Sequence, residues 1–189
     1  MITHPTETMD SVTQSEYGLV FPQDDHNQKL VDNVHPSSWI NPEPRDRYNI
    51  IVIGAGTAGL VTAVIAAGVG AKVALIERHL VGGDCLNVGC VPSKGILRAA
   101  RAWADLRNSG EFGLHIPPGV KYDFGGAMTR MRKLRARISH TDSVHRYTKL
   151  GVDVYIGSAR FTDGDTIQVE GQAGNRTLRF AKAAICTGA

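Results

Sequence analysis

Apolar and β-branched residues crowd the run from Tyr48 to Ile53, which predicts a buried parallel strand. Leu60 to Val69 is rich in alanine and predicts a closely packed helix that stops at Gly68 and Gly70. A second short strand is expected from Lys72 to Ile76, ended by Glu77. Ile96, Leu97, Ala100, Trp103 and Ala104 recur at helical spacing. Residues 111 to 126 are glycine-rich, contain Pro117-Pro118 and read as a loop. Ala127 to Leu150 reads as one long helix with an apolar stripe of Met128, Met131, Leu134 and Ile138. Short strands follow at Val152 to Ile156, Ala159 to Thr162, Thr166 to Glu170 and Thr177 to Phe180. Asp163-Gly164-Asp165 and Gly174-Asn175 mark turns between them.

Composition adds that the chain is globular. Its 189 residues are 42% hydrophobic and 21% charged, enough for one sizeable core. No apolar run approaches the ~20 residues of a membrane span. Met1 to Asp10 lacks the basic and apolar regions of a signal peptide. Charge divides the chain. Residues 1 to 46 carry eight acids and two Lys or Arg, with Pro5, Pro22, Pro36, Pro42 and Pro44 and no sustained period. They read as a polar extension or linker, with one short ordered piece around Tyr17 to Phe21. The basic excess lies in residues 47 to 189. Arg130, Arg132, Lys133, Arg135 and Arg137 crowd the first half of the long helix, but no aromatic residue sits among them to stack on bases. They read as a solvated face, not a nucleic-acid surface.

Two stretches carry chemistry. Gly54-Ala55-Gly56-Thr57-Ala58-Gly59 joins the first strand to the first helix. Gly54 permits the tight turn, Gly56 lets a pyrophosphate approach the backbone, and Gly59 lets helix and strand pack closely. The helix N-terminus offers amides and partial positive charge to phosphates. Glu77 follows Gly54 by 23 residues, where an acid accepts bonds from ribose hydroxyls. The plain alternative is a glycine-rich turn with a surface Glu77.

The other stretch is GGDCLNVGCVPSK, Gly82 to Lys94, with two of the chain's three cysteines. In a regular helix Cys85 and Cys90 would lie ~8.7 Å apart at Cα, beyond the ~7 Å a disulfide tolerates. They meet only if the segment departs from a helix, and Asn87 and Gly89 tolerate that departure. Pro92 suits a first helical turn. The thiols would then lie at a helix N-terminus, which favours thiolate. Lys94 shares that turn and would stabilise a thiolate or an anionic cofactor. Three readings stand: inert buried cysteines, half a zinc site with His79, and a redox-active pair. Three cysteines do not make a disulfide framework, and a cytoplasmic setting is expected.

Gly82 to Lys94 resembles the redox signature of the flavin-dependent pyridine nucleotide–disulfide oxidoreductases, usually GGTCxNxGCxPSK, with Asp84 in place of threonine. Gly157-Ser158-Ala159-Arg160-Phe161 and the stretch Ala183 to Ala189 resemble two further segments of that family, the second implying a last buried strand from Ala183, with Cys186 replacing an alanine and reading as core packing. The stretch IERHLVGGDCLNVGCVPSK and the long extension are most similar to mercuric reductase-like members; dihydrolipoamide dehydrogenase and glutathione reductase types are the alternatives, with a non-enzymatic redox sensor beside them. The resemblance implies an α/β, Rossmann-like FAD-binding domain over residues 47 to 189, a parallel sheet with helices plus a small antiparallel region. It implies FAD contacts at Gly54, Gly56, Thr57, Ala58, Gly59, Glu77, Arg78, Gly83, Asp84, Cys85, Lys94, Ala159, Thr187 and Gly188, and no resident metal. Cys90 would face the flavin, Cys85 would meet substrate, and the two would form a disulfide; Lys94 would lie near the flavin N5. Electrons would run from NAD(P)H through FAD to the cysteine pair and on to a small disulfide or mercuric ion. Nicotinamide and dimerisation domains are expected beyond Ala189, making this a truncated N-terminal portion of a homodimer.

Overall fold

The computed structural model describes residues 20–172 and 174–188. Most of the piece expected at Tyr17 to Phe21 lies outside them. Four parallel strands form the centre: β1 (Tyr48–Ile53), β2 (Val73–Glu77), β3 (Val152–Ile156) and the second half of β6 (Gly174–Ile185). The first half of β6 runs antiparallel to β5 (Thr166–Gly171), which pairs with β4 (Ser158–Asp163). One six-stranded sheet results, in the order β3-β2-β1-β6-β5-β4. This is the Rossmann-like parallel sheet with an antiparallel annex that the sequence predicts.

The strands expected at Thr177–Phe180 and from Ala183 are one continuous β6. Lys182, between the two expected strands, interrupts the apolar pattern but is a solvent-facing residue of the same strand. Gly174 and Asn175, expected in a turn, open β6, and a turn residue ahead of them is Gln172.

Helix α2 (Thr57–Gly68) covers one sheet face, where Leu60 and Ala63 pack on Val52, Val73, Leu75 and Val154. On the other face Tyr48, Ile51, Ala74 and Tyr155 pack on Ile167, Val169 and Leu178 of the antiparallel strands. β1, β2 and β3 are therefore apolar on both sides.

The polar extension departs from its expectation as a linker. Asp24 caps α1 (Asp25–Val34), accepting from the Asn27 amide at 2.9 Å. Leu30 and Val34 of α1 are 0% exposed within the main core. Asn41 then clasps the Ile156 backbone twice, at 2.9 and 2.8 Å.

The long helix expected from Ala127 to Leu150 is broken into α5 (Phe124–Ile138), a 3₁₀ turn over Ser139–Asp142, and α6 (Val144–Lys149). Hydroxyls cause the break. Ser139, Thr141 and Ser143 bond back to the carbonyls of Ala136, Ile138 and His140, and Ser143 caps α6. Among the described residues no helix is long and apolar enough to cross a membrane.

Candidate functional site

Residues far apart in sequence converge at the C-terminal ends of β1, β2 and β6. Gly54 leaves β1 with φ +97°, and a Cβ there would overlap the Cys186 carbonyl at the end of β6. The conformation and the crowding both demand glycine. Gly59 lies so close to the Gly54 carbonyl oxygen that a Cβ would overlap it. Gly83, at φ +55°, sets its backbone against Gly56, where an added Cβ would stand 2.6 Å from the Gly56 Cα.

Two adjoining hollows open above these glycines. The first, about 480 Å³, is lined by Gly54, Glu77, Arg78, Gly157, Ser158, Ala159 and Thr187. The second, about 250 Å³, shares Gly54, Glu77, Arg78 and Thr187 and extends to Gly56, Gly83, Asp84, Cys186 and Gly188. Glu77 anchors the wall between them, its carboxylate accepting from the Ala55 and His79 amides at 2.8 Å each. Thr57 and Ala58 form the exposed first turn of α2, whose N-terminus carries no side-chain cap. That open turn beside a cradle of bare glycine backbone fits a dinucleotide diphosphate such as that of FAD.

Asp84, Asn87 and Val88, which also line the second hollow, flank Cys85 and lead to Cys90. Cys85 lies in a short helix, α3 (Gly83–Asn87), and Cys90 opens the long α4 (Cys90–Arg107). Between them the chain leaves the helical path at Val88 and Gly89, where the Asp84 carbonyl accepts both amides, at 3.0 and 2.5 Å. The departure sets the side chains of Cys85 and Cys90 close enough to interact, with Thr57 also beside Cys85. All three cysteines are free thiols in the structure.

The expected helix N-terminal activation does not reach Cys85, which precedes that terminus. Its pKa is raised, by the hydrogen bond with Cys90 first, then by burial, with the charges of Cys90 and Asp142 adding to both and Thr57 opposing. Asp142 is itself pushed up by burial.

Not every expected residue faces the groove. Lys94 is exposed and lines a separate hollow on the outer side of α4 with Leu97, Arg98 and Arg101. His79 stands at the groove, its pKa lowered by burial and by His35. Among the described residues no group of three His, Cys, Asp or Glu side chains could hold a metal ion.

The sequence also misses Arg135. Its basic run reads as a solvated face, yet Arg135 is 7% exposed and donates to the Asn87 carbonyl, between the two cysteines, at 2.5 Å. Arg132 pairs with Asp24 at 2.5 Å, and Arg130 reaches the Gly95 carbonyl at 3.4 Å. A signal was present: position 135 follows Met128 and Met131 on one helical face.

Residues 48–189 match the family model described as pyridine nucleotide-disulphide oxidoreductase. A dihydrolipoyl dehydrogenase of Acholeplasma laidlawii is 34% identical over 141 residues, 75% of this chain and 40% of that protein. A mercuric reductase of Lysinibacillus sphaericus is 35% identical over 126 residues, 67% of this chain and 23% of that protein. Among solved structures, a Cu(II) complex of the HOCl-induced flavoprotein disulfide reductase RclA from Escherichia coli superposes with a TM-score of 0.63 at 28% identity. That match covers 76% of this chain and 29% of RclA. The chain thus spans well under half the length of these relatives.

Proposed function

The chain belongs to the pyridine nucleotide-disulphide oxidoreductase family, and from that membership we propose that it cradles FAD and carries that enzyme type's redox-active thiol pair at Cys85 and Cys90. Family members are flavoproteins that use FAD with NAD(P)H. One observation carries the reading: the helix break that brings the two cysteine side chains together lies beside an open, glycine-floored groove.

In this reading the first-turn amides of α2, at Thr57, Ala58 and Gly59, hold the diphosphate. Gly54 and Gly56 admit it, and Glu77 takes the ribose hydroxyls. Arg78 and Ala159 border the adenine end; Gly83, Asp84, Thr187 and Gly188 line the path toward the thiols. Cys90, opening α4, would face the flavin, while Lys94 stands on the outer side of that helix. Bound FAD supplies two-electron transfer from NAD(P)H to the Cys85–Cys90 disulfide. The chain's own residues perform the rest. The Cys85 thiolate attacks a substrate disulfide, releases one thiol and forms a mixed disulfide. Cys90 then attacks the Cys85 sulfur, closes the internal disulfide and releases the second thiol. With mercuric ion as substrate the same two thiols act as ligands.

Mercuric ion is the substrate favoured by the stretch IERHLVGGDCLNVGCVPSK, which is most similar to mercuric reductases. A lipoyl disulfide is the second reading, supported by the longer match to a dihydrolipoyl dehydrogenase. The whole protein acts as a homodimer in the cytoplasm, where a thiol pair is kept reduced unless it turns over. The test is NAD(P)H oxidation by the full-length, FAD-loaded protein with mercuric ion, lipoamide or glutathione disulfide. Turnover with mercuric ion, lost in Cys85→Ser, is expected. FAD binding without turnover on any of the three would leave a nucleotide-binding thiol sensor and contradict the enzyme reading.

A further inference from the structure

The residues ahead of the family-matched span reach the thiols through one buried cation. Short α3 ends at Asn87, so its last carbonyls have no helical partner. The Asn87 side chain turns back, donating to the Gly83 carbonyl at 2.9 Å and the Val81 carbonyl at 3.2 Å. Its main-chain carbonyl takes Arg135 Nη1 at 2.5 Å. Arg135 Nη2 donates to Asn27 Oδ1 of α1 at 2.6 Å. Asn27, itself 1% exposed, is fixed by donating from Nδ2 to the Pro22 carbonyl at 2.7 Å. One turn away, Arg132 Nε bonds Asp24, the α1 cap, at 2.5 Å.

α5 therefore lies between two partners. On one side it touches α1; on the other Met131 abuts Gly95 of α4, where an added Cβ would stand 3.3 Å from Met131 Cγ. Burying a guanidinium is costly unless it is bonded. Two of its three nitrogens find partners here, one from α1 and one from the break between the cysteines, while Nε has none.

We propose that Arg135 is a positioning residue that fixes the break between Cys85 and Cys90, and that α1 is a strap holding Arg135 there through Asn27. The proposal rests on the redox reading of the thiol pair above. Fixing the break raises the effective concentration of one thiol at the other, and so stabilises their disulfide.

The experiment equilibrates the purified full-length protein with glutathione redox mixtures. One glutathione disulfide takes two electrons and two protons from Cys85 and Cys90, which become linked, and leaves as two glutathione thiols. The linked fraction is read by mass spectrometry after alkylation. Arg135→Met should lower the equilibrium constant for forming the protein disulfide about tenfold, and Asn27→Ala about threefold, with Arg135→Lys between wild type and Arg135→Met. Asn41→Ala loosens the same N-terminal segment at Ile156, remote from the thiols, and should leave the constant unchanged while lowering Tm. If Arg135→Met does not fold, Asn27→Ala decides. A constant within 1.5-fold of wild type in folded Asn27→Ala, or an equal fall in Asn41→Ala, would overturn the proposal. So would a rise, because losing positive charge alone disfavours thiolate and promotes the disulfide. A wild-type protein that never links Cys85 to Cys90 would instead overturn the redox reading itself.

Discussion

Gly59 and Gly68 sit at opposite ends of α2 in opposite surroundings. A Cβ on Gly59 would overlap the Gly54 carbonyl, whereas one on Gly68 would meet nothing within 4 Å. Gly59→Ala should cost about 1–3 kcal/mol by overpacking and lower Tm by roughly 2–12 °C. Gly68→Ala should instead leave Tm level or raise it, since alanine gains up to about 1 kcal/mol over glycine in a helix. Thermal melts followed by circular dichroism compare the two; equal behaviour would contradict the close strand–helix approach. The Cys85 thiol gives a second prediction. Its hydrogen bond with Cys90 is the largest cause of its raised pKa, so Cys90→Ala should lower the apparent pKa seen in Cys85 alkylation against pH. An unchanged or higher value would mean the two side chains do not interact. The glycines and thiols were legible in the sequence because their spacing is local. The direction of the Cys85 shift was not, because the Cys90 interaction and the burial that raise it depend on where the helix breaks.

Helix α1 shows how an element can be hidden by composition. Its segment is acidic, proline-flanked and without sustained period, and only Leu30 and Val34 reach the core. Leu30→Ala should cost about 2–5 kcal/mol. A cost below about 0.5 kcal/mol in denaturant melts would mean that α1 is not docked. Docking also carries a pH signature. Partial burial pushes the Asp24 carboxyl up, but the Asn27 amide and the Arg132 guanidinium outweigh it and hold the group below the ordinary aspartate value. A depressed carboxyl stabilises the fold above its unfolded pKa, and that contribution is lost as pH falls through the folded value. Below about pH 4, Asp24→Asn and wild type should therefore converge in stability, having differed at pH 7. A constant difference across that range would contradict the Asp24–Arg132 pairing. The α5–α6 break was equally obscured: stripe spacing runs through it, and only the chain of back-bonding hydroxyls from Ser139 to Ser143 marks it.

For the molecule as a whole, the sheet order does the assembling. β6 serves both parts of the sheet, antiparallel to β5 and then parallel to β1, and so delivers Thr187 and Gly188 to the glycine turn after β1. The sequence showed each fragment of that groove, since strand, turn and acid are local patterns. It did not show β6 as one strand, because Lys182 lies solvent-facing within it and resembles a break. The central claim is that a thiol couple is held against a flavin by the same chain that holds the flavin's diphosphate. Its most direct measurement is the visible spectrum of the full-length, FAD-loaded protein after anaerobic addition of two electrons. A long-wavelength charge-transfer band is expected in wild type and in Cys186→Ser, and absent in Cys90→Ser. A band that persists without the Cys90 thiol, or never forms in wild type, would contradict the account.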